Sequence, residues 1–164
     1  MPRLAAAVMT ALALGPSATL ADWQGYEWGE TPRGVLAAGE ASERWEETRG
    51  APPLRTAPLE MPYIGAGFEF SAYFLFDQAG LGRGLTSVVL VPLDAGACDD
   101  ILREVTSIYG APAQTREDAA PPTGEMRATW RDPGHEARVA YAEMGTGCAM
   151  IYSRLLEPGA DNGL

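Results

Sequence analysis

The chain has 164 residues and a formal net charge of −10. That length favours one domain, and that charge excludes nucleic acid as a partner, because phosphate backbones require a basic surface. It also disfavours an anionic membrane surface; all 12 basic side chains are arginine, which excludes lysine chemistry such as Schiff-base formation.

The first 21 residues read as a secretory signal peptide. Arg3 supplies the positive start, and residues 4–14 form a small-apolar run interrupted only by Thr10. Gly15 and Pro16 break the run, and Thr19-Leu20-Ala21 offers small residues at the −3 and −1 positions. Cleavage is expected between Ala21 and Asp22. The run is too short to cross a bilayer of roughly 30 Å, and no cysteine follows it to carry a lipid. No stable membrane anchor is therefore expected after cleavage. The expected location is the bacterial periplasm or the exterior. A single domain over residues 22–156 and a flexible polar tail over 157–164 complete the expected organisation.

Residues 22–29 (DWQGYEWG) carry Trp23, Tyr26 and Trp28. This spacing suits a short strand or a lid over one end of a core. Exposed aromatic clusters also bind sugars or peptides, so these side chains, with Trp45, form the candidate binding surface. Thr31-Pro32 is a helix start, with Thr as N-cap and Pro at the first helical position. Val35 and Leu36 should face inward, and Gly39 should stop the helix. Residues 40–50 (EASERWEETRG) are polar and acidic, and either extend that helix or form a second short one. Residues 51–62 hold Pro52, Pro53, Pro58 and Pro62, which predicts a connecting segment with at most a short edge strand.

Residues 67–77 form the clearest strand. Phe68, Phe70, Ala72, Phe74 and Phe76 alternate with Glu69, Ser71, Tyr73, Leu75 and Asp77, the period-two pattern of a half-buried strand. A glycine-bearing turn over 78–83 leads to a second strand over 84–93, completing a hairpin. Next comes an amphipathic helix. Cys98, Ile101, Leu102, Val105, Ile108 and Tyr109 share one face at helical spacing. Asp99 and Asp100 suit its positive end, Gly110 closes it, and Pro112 keeps it from resuming.

A polar loop over 113–124 follows, then a strand over 125–131. The turn Asp132-Pro133-Gly134 leads to strands over 138–143 and 148–155, joined at Gly145-Thr146-Gly147. In the last strand Cys148, Met150 and Tyr152 share one face. Cys98 and Cys148 are the only cysteines. In an oxidising compartment they are expected to pair. The closed loop gives roughly 4 kcal/mol by the chain-entropy argument. A redox role is disfavoured, since redox dithiols sit close together, as in C-x-x-C.

Each half of the chain begins with a glycine-terminated helix, passes a proline-bearing connector and enters strands around an aromatic-turn-glycine element (Phe76–Gly80 and Trp130–Gly134). The expected fold is α+β: an antiparallel sheet with helices packed on one face, arranged as two tandem helix-plus-hairpin units.

Three segments carry a resemblance: WG-x-TP at Trp28–Pro32, the aromatic strand Phe68–Asp77, and C-x-x-I-L-x-x-V-x-x-I-Y-G-x-P at Cys98–Pro112. Together they resemble a group of small bacterial envelope proteins with WG-(S/T)-P and YG-x-P helices. More distantly, the helix-then-hairpin unit is similar to the β-lactamase-inhibitor-protein-like fold and to small outer-membrane assembly lipoproteins. The resemblance implies a binder or scaffold rather than an enzyme. The chain departs from the lipoproteins in lacking a lipidation cysteine.

Catalytic groups are sparse. His135 is the only histidine, and its place in a tight turn predicts a solvated residue. Zinc needs three or four ligands that the chain does not supply with its cysteines paired. Gly80-x-Gly82-x-Gly84 belongs to a hairpin turn with no helix after it, so it is not a phosphate cradle. Asp77, Asp99 and Asp100 lack EF-hand spacing. No cofactor, metal or catalytic residue is expected. The leading expectation is a non-catalytic periplasmic module that binds another envelope protein or a peptide. Alternatives are a carboxylate-based glycan hydrolase or a module for a small apolar ligand lined by Phe68–Phe76.

Overall fold

A computed structural model describes residues 22–44, 57–77, 84–113, 125–145 and 147–155. The expected signal peptide, Trp45 and the tail over 157–164 lie outside the described residues.

The chain opens with a two-stranded ribbon, β1 (Asp22–Trp23) against β2 (Tyr26–Glu27). Its turn residues Gln24 and Gly25 both have positive φ, at 53° and 85°, the backbone twist that suits a two-residue hairpin. Helix α1 (Pro32–Ala37) starts as its residues require: the Thr31 side chain accepts a hydrogen bond from the Gly34 amide at 3.2 Å. Gly39, at φ 94°, lies just beyond its end. Residues 42–43 then form a two-residue strand, β3 (Ser42–Glu43), rather than further helix. The acidic run therefore starts as sheet edge, where Ser42 pairs with Glu60.

Strand β4 (Leu59–Gly65) is longer than the connecting segment with at most a short edge strand expected over residues 51–62. It pairs along its whole length with β5 (Phe68–Phe76). Pro62 is accommodated because β3 reaches only Leu59 and Glu60, which leaves β4 an edge strand beyond that point. Strand β6 (Leu85–Pro92) completes a meander. A 3-10 turn over Ala95–Ala97, capped by the Asp94 side chain, leads into α2 (Cys98–Tyr109), whose bounds match the sequence pattern. Strands β7 (Glu125–Asp132), β8 (Ala137–Met144) and β9 (Gly147–Arg154) form a second meander.

The two meanders join into one sheet. Its order is β3-β4-β5-β6-β9-β8-β7, antiparallel throughout, with β6 and β9 paired at the junction. The described fold is thus mostly β, and the α+β expectation fits it only loosely. Each meander does follow a helix, but the sheet is continuous.

One face of this sheet carries the core. Phe70, Ala72 and Phe74 of β5, Val88 and Leu90 of β6, Val139 and Tyr141 of β8, and Cys148 and Met150 of β9 are buried together. Val35 of α1 and Ile101 and Val105 of α2 pack into the same cluster. Burying such side chains contributes about 1.5–3 kcal/mol each for the larger aliphatic and aromatic ones. Cys98 and Cys148 form a disulfide, with their Cα atoms 5.8 Å apart, which ties the start of α2 to β9. At the other end of α2 the Trp130 indole donates to the Gly110 carbonyl at 2.9 Å.

The N-terminal segment closes one end of this layer. Gly29 donates to the Leu85 carbonyl at 2.9 Å, and Leu85 donates to the Glu30 carbonyl at 2.8 Å. Gly84 lies so close that a Cβ there would stand 2.5 Å from the Gly29 carbonyl oxygen, so only glycine fits.

Candidate functional site

The face of α2 that turns inward does not fill the space beneath it. A cavity of about 200 Å³ lies between the helix and the sheet. Its helix wall is Ile101, Glu104, Val105, Ile108 and Tyr109, spaced at i, i+3, i+4, i+7 and i+8. Its floor is Phe68 and Phe70 of β5, Leu90 of β6, and Met150 and Tyr152 of β9. The alternation of each strand aims these side chains at the same side. The β1–β2 ribbon supplies Trp23, and β4 supplies Tyr63. Ile108, 58% exposed, stands at the helix wall facing solvent.

The aromatic residues around it hold one another in place. The Trp23 ring centroid lies 5.2 Å from Tyr63, 6.0 Å from Phe74 and 6.2 Å from Tyr152. Tyr63 lies 6.2 Å from Phe70. Offset and edge-on contacts of this kind add about 0.5–1.5 kcal/mol per pair beyond area burial. The result is a ring-lined wall.

One corner of the cavity is polar. Asp132, at the end of β7, accepts from the Tyr109 hydroxyl at 3.1 Å and meets His135 Nδ1 at 3.0 Å through Oδ2. Its Oδ1 accepts from the backbone amides of Gly134 at 3.1 Å and His135 at 3.3 Å. Both oxygens are therefore engaged. Burial works to raise the Asp132 carboxyl, but hydrogen bonds from His135 and Tyr109 outweigh it and hold the group below the ordinary carboxylate range. Burial pushes the Tyr109 hydroxyl well above the usual tyrosine range, and the neighbouring Tyr152 phenol and Asp132 carboxylate push the same way. Burial raises Tyr152 and Tyr63 as well. The corner thus presents neutral phenols and one pinned carboxylate to whatever occupies the space. The Trp28 indole donates to the His135 carbonyl at 3.1 Å, which anchors this turn to the N-terminal segment.

Trp23, Tyr26 and Trp28 do not form an exposed binding surface. Their exposures are 4%, 3% and 8%, and all three belong to the core. The physical reason is that the sheet's inner face would otherwise be open beyond α2, and these rings cover it. Trp23 alone also reaches the cavity. His135 is half-exposed, as a turn residue should be, but its ring is held by Asp132 rather than only solvated.

Tyr109, Asp132, His135 and Tyr152 were not legible as a group in the sequence. The YG-x-P helix end and the Asp-Pro-Gly turn were each visible. Nothing in their spacing says that Tyr109 and Asp132, 23 positions apart in the chain, meet.

A hydrolase would require a carboxylic acid of raised pKa facing a second carboxylate. Glu104 and Asp132 both border the cavity, but Asp132 is shifted in the opposite direction and its oxygens are occupied. Among the described residues no group of three or more His, Cys, Asp or Glu side chains could hold a metal ion. No helix among them is long and apolar enough to cross a membrane.

No protein-family model, curated protein or solved structure matches the chain.

Proposed function

We propose that the protein is a non-catalytic binding module of the bacterial envelope, and that its site is the cavity beneath α2. Its ligand on this reading is a small, largely apolar or aromatic molecule with one polar group. The observation that carries the reading is the cavity itself. A core built only for stability leaves little unfilled volume, because such volume costs contacts. Instead the space is lined by rings and bordered by a polar corner, the usual composition of a small-molecule site.

The envelope location rests on the signal-like residues 1–21 and on the Cys98–Cys148 disulfide, which is at home in an oxidising compartment. The WG-x-TP and YG-x-P helices support the same placement through the envelope proteins they resemble.

The test is a titration of the purified protein with N-phenyl-1-naphthylamine, a neutral aromatic probe whose fluorescence rises in apolar surroundings. Saturable binding of one probe per chain is expected. A signal that rises linearly without saturation, as in buffer, would sink the reading.

A protein or peptide partner on the opposite sheet face is the second reading. It is favoured by an apolar cluster there, in which Tyr73, Leu75, Val91, Met144 and Ile151 are half-buried around Val89 and Ala149. A pulldown from periplasmic extract that recovers one partner, lost on Val91→Glu substitution, is the expected result for this reading. Recovery of no partner at several salt concentrations would remove it.

A further inference from the structure

The cavity beneath α2 has a charge character of its own. Six aromatic rings border it, those of Trp23, Tyr63, Phe68, Phe70, Tyr109 and Tyr152. Two carboxylates border it as well, Glu104 on the helix and Asp132 at the end of β7. The chain has 12 arginines, yet none is among the described residues that border this space. His135, which also borders it, faces a carboxylate, with Nδ1 3.0 Å from Asp132 Oδ2.

Five of the rings form a continuous row. Tyr152 lies 6.2 Å from Trp23, Trp23 lies 5.2 Å from Tyr63, Tyr63 lies 6.2 Å from Phe70, and Phe70 lies 6.5 Å from Phe68. The interplanar angles along the row are 52°, 54°, 36° and 66°, so none of these four contacts is a face-to-face stack. The face of an aromatic ring carries the negative part of its quadrupole. A face-to-face stack would cover that face with the next ring, and a tilted contact does not.

The carboxylates are a separate observation. Glu104 is exposed on the helix wall. Among the described residues, no cation or hydrogen-bond donor engages its carboxylate. Asp132 keeps its charge, because hydrogen bonds hold its carboxyl below the ordinary range. An anionic ligand would meet two like charges and no arginine, and like charges at close range repel.

On the reading that this cavity is the binding site, we propose that its ligand is a small organic cation, a quaternary ammonium or a protonated amine with an apolar body. Aromatic rings attract a cation placed over their faces, and they cover its methyl groups at the same time. Glu104 and Asp132 add the opposite charge. The net charge of −10 draws cations from a distance, and that long-range part weakens as salt rises.

The experiment compares phenyltrimethylammonium with tert-butylbenzene, which has the same shape with a neutral carbon in place of the nitrogen cation. Both are titrated into the full chain as competitors of N-phenyl-1-naphthylamine. The cation is also titrated calorimetrically without the probe. One cation per chain is expected, with an affinity about tenfold or more above that of tert-butylbenzene. Choline and phosphocholine then separate two sources of the cation: tighter binding of choline identifies a free amine, and the reverse identifies a lipid headgroup. Phe68→Leu keeps an apolar side chain but removes a ring face, and Glu104→Gln removes one charge at an exposed helix position. Each should lower the ratio of cation affinity to neutral affinity by about threefold or more. Glu104→Gln carries the test alone if the melting temperature shows that Phe68→Leu does not fold. Saturable probe binding with tert-butylbenzene competing as well as the cation overturns the proposal and leaves the apolar site standing. Binding of neither probe nor cation overturns both. A cation preference that Glu104→Gln and a folded Phe68→Leu both leave at the parent value also overturns the proposal.

Discussion

The Tyr109 hydroxyl donates to Asp132 Oδ2 at 3.1 Å, joining the last turn of α2 to the end of β7. With the Cys98–Cys148 disulfide at the other end of the helix, it fixes α2 over the sheet at two points. Between these two points Ile101 and Val105 pack into the core, and both border the cavity beneath the helix.

Tyr109→Phe removes this bond while keeping the ring that borders the cavity. A hydrogen bond to a charged group contributes about 1.5–3 kcal/mol, so a loss near the low end of that range is expected for this half-buried pair. Urea unfolding followed by tryptophan fluorescence measures it. A midpoint equal to that of the parent would show that the bond does not hold the helix.

Acid should act through the same carboxylate. Asp132 has a folded pKa below its ordinary 3.8. Its contribution is therefore present above 3.8 and is lost as pH falls through the folded value. The melting temperature should drop as pH falls below about 4, and Asp132→Asn should flatten that part of the curve. Equally steep acid limbs in both proteins would contradict the assignment.

Reduction of the disulfide opens a loop of 50 residues. A loss of roughly 4 kcal/mol is expected on the chain-entropy argument. Comparing urea midpoints with and without reductant tests this, and equal midpoints would mean that the crosslink constrains little.

The sequence announced most of these elements because their patterns are local. The helix Cys98–Tyr109 shows a full apolar stripe, an acidic first turn and a glycine stop, and it forms with those bounds. Phe70, Ala72 and Phe74 alternate inward as their period-two spacing requires. Strand β4 was legible only as a possible short edge strand, because Pro58 and Pro62 speak against a longer one unless one knows that β3 covers only its first residues. The aromatic segment Trp23–Trp28 was ambiguous for a different reason: a ring's exposure depends on which surface lies opposite, and that surface is assembled from β5 and β9. The site was the least legible part. Its cavity is a gap between α2 and two distant meanders, and a gap leaves no residue pattern of its own.

Filling that gap is the most direct measurement. Val105 is 8% exposed and faces the cavity. Val105→Phe adds volume where space already exists, so it should leave the melting temperature unchanged or raised rather than strain a packed core. Affinity for N-phenyl-1-naphthylamine should fall by about tenfold or more. A folded Val105→Phe protein that binds the probe as tightly as the parent would place the ligand elsewhere and contradict the account.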